Sequence, residues 1–197
     1  MPISFEQEVK QHLDKTKSDY TNNCNSHKLL DFTLQKFMNE KAFCLDVKEK
    51  RQKINTSNWP SVAADAEQHK FIVDDLAVRK TLAYSPYSGI LVRDNLYSKY
   101  YWFSVIDLSL MPKIRINRPI EKNSLQYKGK WIIDFRNAKG SNSLENIMET
   151  IKDYANTVID ICTDLLPCYG EYVNENIGIE GEIRKPGHWD IDVKQTR

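Results

Sequence analysis

Apolar residues at helical spacing mark the start of the chain. Phe5, Val9 and Leu13 follow one another at intervals of four residues, and Ser4 precedes them as a candidate N-cap. This pattern predicts an amphipathic helix over residues 4–16, with acidic side chains in its first turn, where the helix dipole favours them.

Two longer segments also have helical patterns. Residues 143–165 keep apolar side chains at helical spacing throughout, and Pro167 follows as a helix terminator. Residues 62–83 carry apolar side chains on several sides. We therefore expect the helix at 62–83 to be covered both by a sheet and by another layer of the protein.

Short apolar runs between these helices predict strands. Residues 29–34, LLDFTL, and residues 42–48, AFCLDVK, flank a polar turn and predict a β-hairpin. Further strands are predicted over residues 89–94, 100–111, 113–120 and 128–137. The order of elements lacks a repeated β-α-β rhythm. The predicted fold class is therefore mixed α/β, or α+β, with a central mixed β-sheet flanked by helices.

The composition is that of one ordinary globular domain. The 197 residues are 41% hydrophobic and 28% charged, and 28 basic against 27 acidic residues leave a net charge of +1. That balance excludes a polybasic tail, so any nucleic-acid surface has to be a local patch. We expect a single domain over residues 1–197, with a core at about 1–165 and a C-terminal extension at 168–197.

Three features bear on the compartment of the protein. No apolar run is long enough to span a membrane, and charge from Glu6 onwards argues against a secretory signal. The four cysteines form no C-x-x-C pair. Together these features favour a cytoplasmic protein that does not bind a membrane.

Charged residues stand at the inner ends of the two hairpin strands. Residues two apart in a strand point to the same side, so Asp46 and Lys48 share one face and Val47 points the other way, into the core. Folding of the hairpin can bring Asp31 beside Asp46. Two neighbouring carboxylates repel unless a cation lies between them, and such oxygen ligands favour Mg²⁺ or Mn²⁺. A lysine on the same face can position a water or neutralise charge on a phosphoryl transition state.

This order of elements and motifs resembles the PD-(D/E)XK, or restriction-endonuclease-like, nuclease superfamily over about residues 1–110. Leu30 stands where the family has a proline, and an aspartate stands at the second acidic position, where glutamate is commoner. Both substitutions are familiar in the superfamily. The resemblance implies metal ligands at Asp31 and Asp46, a catalytic lysine at Lys48, and a helical glutamate at Glu6, with Glu8 as the alternative.

The function implied by the resemblance is that of a Mg²⁺- or Mn²⁺-dependent endonuclease, in which a metal-bound water attacks a phosphodiester bond of DNA. A small nuclease that cuts both strands is expected to act as a homodimer or with a partner subunit. Five basic residues are candidate phosphate contacts: Lys50, Arg51 and Lys53 after the second hairpin strand, and Lys113 and Arg115 on a later strand.

Each of these features also has a plainer interpretation. A D-x-K triplet arises by chance in a charged chain, and Asp192 with Lys194 forms a second one near the end of the sequence. The hairpin residues could be ordinary surface charges, and the basic residues could be solvated strand faces. The rival function is a non-catalytic nucleic-acid-binding or protein-interaction module on the same scaffold.

Overall fold

The computed structural model describes residues 3–38, 41–54, 66–120, 125–165 and 172–173. Helices and strands are interspersed along these residues. In chain order they are α1 (Phe5–Lys15), β1 (Tyr20–Asn22), β2 (Phe32–Met38), β3 (Lys41–Lys50), β4 (Lys70–Asp74), α2 (Asp75–Ala83), β5 (Ser88–Asp94), β6 (Lys99–Ser104), α3 (Val105–Leu110), β7 (Ile114–Pro119), β8 (Tyr127–Asp134), β9 (Lys139–Ser141) and α4 (Leu144–Asp160). A single π-helical turn, Ile161–Leu165, extends α4.

Six strands form a central mixed sheet in the order β1-β2-β3-β5-β6-β9. Strands β3 and β5 are parallel, and the other neighbours are antiparallel. The predicted hairpin is confirmed, since β2 pairs with β3 and places Phe32 opposite Leu45 and Leu34 opposite Phe43. The predicted fold class, a central mixed sheet with flanking helices, is confirmed as well.

Helices α1 and α4 cover one face of this sheet. Both predicted helices are confirmed: Ser4 caps α1 by accepting the Gln7 backbone N–H at 3.2 Å, and Ser143 caps α4. Their apolar sides join the inward residues of the central strands in one core, which includes Val47. The apolar residues whose spacing predicts these two helices are therefore the residues that pack against the sheet.

A second sheet of three antiparallel strands, in the order β4-β8-β7, lies on the opposite face. Phe71 of β4 and Ile133 of β8 share a core with Ile90 and Phe103 of the central sheet. Helix α2 contributes Val78 to the same core. The central sheet thus packs against a core on each of its two faces.

Three predicted elements need correction. The smallest change is to strand 128–137, which ends at Asp134 and is followed by a 3₁₀ turn at Phe135–Asn137. Residues 70–74 of the predicted helix 62–83 form strand β4, and the helix begins only at Asp75. The reason is pairing with β8, which buries Phe71 and Val73 against the central sheet. Residues 62–65 of that prediction lie outside the described part of the chain.

The predicted strand 100–111 is also too long. It ends at Ser104, where a capping box with Asp107 starts helix α3. Ser104 Oγ accepts the Asp107 N–H at 3.0 Å, and the Asp107 carboxylate accepts the Ser104 N–H at 2.9 Å. These reciprocal bonds satisfy donors that a continued strand would have paired with a neighbour.

Part of the chain lies beyond what can be compared with the sequence predictions. Pro167 and the C-terminal extension, apart from residues 172–173, fall outside the described residues, as do Asp192 and Lys194. Among the described helices, none combines the length and the apolar character that a membrane crossing requires.

Candidate active site

The site begins where strand β2 stops and β3 continues. The last β2 pairing places Phe32 opposite Leu45, whereas β3 remains paired with β5 as far as Lys50. Among the described residues, no strand pairs with this edge of β3 beyond Leu45. Asp31, directly before β2, compensates for this: its Oδ2 accepts the Val47 backbone N–H at 2.7 Å. The Asp31 carboxylate thus takes the place of a backbone carbonyl as the partner of a β3 N–H group.

Asp31, Asp46 and Lys48 converge at this edge. Lys48 Nζ lies 2.8 Å from Asp46 Oδ2 and 3.4 Å from Asp31 Oδ2, and it donates to the Val47 carbonyl at 3.0 Å. Val47 points the other way, into the core beneath α1 and α4, as the alternation of the strand predicts. The structure therefore brings together the three strand residues that the sequence places at one site.

The Asp46 carboxylate is buried at a high electrostatic cost. Its residue is only 4% exposed, and burial raises the pKa of Asp46 to about 6, with the neighbouring charge of Asp31 adding to the rise and the Lys48 ammonium opposing it. Asp46 Oδ2 forms the ion pair with Lys48, and no other donor among the described residues bonds to this oxygen. A buried carboxylate oxygen in this condition is a favourable position for a cation.

The pKa of Lys48 is also raised, but its charged neighbours rather than its burial are responsible. Burial by itself lowers the pKa of the Lys48 ammonium, but the Asp46 and Asp31 carboxylates outweigh that effect, and the pKa is raised from its ordinary value. Lys48 is therefore positively charged at neutral pH. Its side chain is about one-third exposed, which leaves the ammonium accessible from the solvent side of the site.

Glu6 projects from the first turn of α1 to the same place. Its carboxylate and the ligand atoms of Asp31 and Cys24 all lie within 4.8 Å of one another. Glu8, the alternative helical glutamate, instead accepts hydrogen bonds from Arg93 and from the Tyr100 hydroxyl. The geometry therefore places Glu6, rather than Glu8, at the site.

Cys24 is a neighbour of the site that the sequence patterns miss. It lies in the turn after β1 and donates from its thiol to the Asp31 carbonyl oxygen at 3.7 Å. Burial raises the pKa of the Cys24 thiol to about 11, and the negative charges of Asp31 and Glu6 contribute to the rise. The thiol is therefore protonated at neutral pH, and the anionic ligands of the site are carboxylate oxygens.

The donor set suits a hard divalent cation. The carboxylates of Glu6 and Asp31 lie within 4.8 Å of one another, and Lys48 joins Asp31 to Asp46. Carboxylate oxygens are the ligands that Mg²⁺ and Mn²⁺ prefer. A cleft of about 340 Å³ opens beside them along the unpaired edge of β3. It is lined by Ser4, Phe5, Glu6, Val47, Lys48, Glu49 and Arg51.

The three basic residues after the D-x-K triplet occupy different environments. Arg51 lines the cleft with a largely exposed side chain that pairs with Glu49, and Lys53 is exposed two residues later. Lys50, by contrast, is buried: its ammonium donates to the Glu67 carbonyl at 3.0 Å and lies 3.7 Å from Asp94 Oδ2. Lys50 serves an internal ion-pair network, and we remove it from the predicted phosphate contacts.

Arg115 lies in strand β7 of the second sheet, and Lys113 directly precedes that strand. Lys113 donates to the carbonyls of Leu108 and Ser109, at 2.8 and 2.7 Å, and so caps the end of α3. Arg115 is exposed, as the alternation of β7 predicts, and its guanidinium lies 2.8 Å from an oxygen of Asp75. Neither residue lines the cleft beside β3.

No protein-family model and no curated protein matches the sequence. Two solved structures are similar to the chain. One is Hjc, a Holliday junction resolvase from Archaeoglobus fulgidus, with 9% identity, a TM-score of 0.38, and coverage of 68% of this chain and 93% of the resolvase. The other is D212, a nuclease from a fusselovirus, with 10% identity, a TM-score of 0.39, and coverage of 77% and 88%. Likenesses this distant carry no argument about the function of the chain, for which only its own site counts.

Proposed function

We propose that the chain is a divalent-metal-dependent nuclease that hydrolyses phosphodiester bonds in DNA. The observation that carries the proposal is the convergence of Asp31, Asp46 and Lys48 at the open edge of β3, with Glu6 close to Asp31. An array of carboxylates around one lysine, partly buried and beside a cleft, is costly for a fold. Such a cost is characteristic of a functional site.

Asp31, Asp46 and Glu6 would hold Mg²⁺ or Mn²⁺. The ion would supply Lewis acidity toward a phosphate oxygen and a lowered pKa for a coordinated water. Asp31 contributes a further property, because its Oδ2 is already oriented by the Val47 N–H at 2.7 Å. This ligand is therefore preorganised before a cation arrives.

Lys48 is assigned an electrostatic role. Its pKa is raised, so it is an ammonium and not a base at neutral pH. In the metal-free protein it neutralises the two aspartates. With a cation held by the aspartates, the Lys48 ammonium would be available to stabilise the negative charge that develops on the reacting phosphate.

Two exposed cations extend the site toward the substrate. Arg51 lines the cleft and Lys53 is exposed two residues later, and we assign both to contacts with backbone phosphates of the substrate. We retain a homodimer or a partner subunit as the arrangement that would cut both strands of a duplex.

The test is cleavage of end-labelled duplex, single-stranded and branched DNA in Mg²⁺ or Mn²⁺, with a chelator as the blank. We expect cleavage by the wild type, and none by Asp46→Asn or by Lys48→Ala when each is folded. A protein that binds DNA without cutting any of these substrates, and whose metal titration is unchanged by Asp46→Asn, would instead be the non-catalytic binding module. Cleavage restricted to RNA would correct the substrate class.

A further inference from the structure

The N-terminus of α1 is fastened to the sheet by one buried ion-pair network. Arg93 of β5 donates to the Glu8 carboxylate and, at 3.1 Å, to the Ile3 carbonyl oxygen. It also pairs with Glu49 of β3, and Glu49 in turn accepts the Phe5 backbone N–H at 2.7 Å. One guanidinium and one carboxylate therefore hold three positions in and beside the first turn of the helix.

The Glu49 contact is a helix cap supplied from outside the helix. Phe5 is the first helical residue, and its N–H has no acceptor within the helix. Burial by itself raises the pKa of Glu49, but hydrogen bonds from Arg51 and the Phe5 N–H and the charge of Arg93 outweigh it and lower the pKa. Glu49 is thus ionised at neutral pH and lies at the positive end of the helix dipole.

Arg93 is enclosed on several sides. Its side chain is 15% exposed, and the guanidinium carbon lies 5.2 Å from the centre of the Phe5 ring. The partner Glu8 also accepts from the Tyr100 hydroxyl of β6. A charge pair at this depth is weakly screened by solvent, so it determines the position of the helix more strongly than a surface pair would.

Glu6 lies between Phe5 and Glu8, which contact Glu49 and Arg93, but its own side chain has no such contact with the described strands of the sheet. Among the described residues it forms no hydrogen bond or ion pair, and it is exposed. Residues two apart on a helix point in nearly opposite directions, so Glu8 faces the sheet while Glu6 faces the site. The closeness of the Glu6 carboxylate to Asp31, within 4.8 Å, therefore depends on where the sheet holds α1.

We propose that Arg93 and Glu49 are positioning residues of the metal site, acting through Glu6. They hold the first turn of α1 against β3 and β5 so that the Glu6 carboxylate lies within 4.8 Å of Asp31. This inference rests on the proposed function, because it assigns Glu6 a part in holding the cation.

A double-mutant cycle tests the inference. Mn²⁺ affinity and the rate of DNA cleavage are measured for the wild type, Arg93→Lys, Glu6→Gln and the combined variant. Arg93→Lys keeps the charge but loses the forked geometry that spans two carboxylates. We expect it to weaken Mn²⁺ binding by roughly tenfold, as loss of a supporting contact around a metal ligand typically does. In the Glu6→Gln background, the same change should alter affinity by less than about twofold, because the residue through which it acts has lost its charge.

Two further variants separate positioning from general stability. Arg136→Lys is the matched control, because Arg136 makes a forked contact with the buried Asp134 in a different part of the chain. It should leave Mn²⁺ affinity unchanged even where it lowers the melting temperature. Glu49→Gln keeps an acceptor for the Phe5 N–H but loses the ion pair with Arg93, and it should repeat the effect of Arg93→Lys where that variant does not fold.

The outcomes distinguish this inference from the proposed function. Equal losses of affinity in both backgrounds, no loss in either, or no effect of Glu6→Gln itself would overturn the positioning role, while the nuclease proposal stands if Asp46→Asn still abolishes binding and cleavage. A wild type that binds no Mn²⁺ and cuts no DNA would overturn both. Non-additive losses confined to variants of the Arg93 network would support the inference.

Discussion

Replacing Asp46 by asparagine should stabilise the metal-free protein at neutral pH. The substitution keeps the shape of the side chain and removes a charge that is buried against Asp31. The raised pKa of Asp46, about 6 against an ordinary 3.8, means that the folded state binds a proton more tightly than the unfolded state does. The stabilising contribution of that proton is complete below about pH 3.8 and is lost as the pH rises through about 6.

The magnitude follows from the difference between the two pKa values. One pKa unit corresponds to about 1.4 kcal/mol, so a difference of about 2 makes ionisation of Asp46 cost on the order of 3 kcal/mol of unfolding free energy at pH 7. The residue is 4% exposed, so solvent screening reduces this figure little. Asparagine does not titrate, and the stability of Asp46→Asn relative to the wild type should rise by about that amount between pH 3.5 and pH 7.

Urea unfolding in a metal-free buffer at several pH values measures this difference. Asp14→Asn is a suitable control, because hydrogen bonds from Lys10 and Tyr20 lower the pKa of the exposed Asp14, and the pH trend should have the opposite sign. Saturating Mg²⁺ should reverse the ranking at pH 7, since only the wild type binds it. If the stability of Asp46→Asn relative to the wild type does not change with pH, or if the wild type is the more stable at neutral pH without metal, then the charged Asp46 carboxylate does not destabilise the metal-free fold and the argument is refuted.

Three further predictions concern neighbours of Asp46. Lys48→Ala should abolish cleavage and lower metal-free stability by about 1–3 kcal/mol, because two carboxylates lose their counter-ion, and urea unfolding with a cleavage assay checks both effects. Asp31→Asn should speed alkylation of Cys24 at pH 8, because the Asp31 charge helps to raise the thiol pKa to about 11, and peptide mass spectrometry of timed samples measures the rate; an unchanged rate would place the carboxylate away from the thiol. Charge reversal at Arg51 and Lys53 together should reduce the slope of log K for duplex binding against log salt concentration by at least about 1.8, without changing Mn²⁺ affinity. Titrations at two salt concentrations measure the slope, and an unchanged slope would contradict phosphate contacts by these two residues.

Much of the site could be predicted because it depends on local rules. The two-residue period of a strand places Asp46 and Lys48 on one face whatever surrounds them, and the hairpin brings Asp31 beside them. The prediction that Lys50 contacts phosphate is wrong for a reason that the local pattern does not contain. Lys50 shares the period, but residues Glu67 and Gln68, distant in sequence, cover it and take its hydrogen bonds. Burial by remote segments is not visible in a local pattern.

The fold errors have a similar origin. Residues 71–73 are a continuous apolar run directly before a helix, and such a run is compatible with either a buried helix or a buried strand. Pairing with β8 decides in favour of the strand. The end of β6 carried a readable signal, the S-x-x-D capping box at Ser104, which the apolar alternation around it obscured. Cys24 had no such signal, because its place beside Asp31 depends on the path of a turn.

The position of a bound ion tests the central claim most directly. Anomalous scattering from a crystal soaked in Mn²⁺ reports where the metal binds without relying on activity. The account predicts a peak at the open edge of β3, in contact with Asp31 and Asp46, that disappears in Asp46→Asn. A crystal with no peak there at a saturating Mn²⁺ concentration, or with the ion held only at other acidic residues such as Asp74, would contradict it.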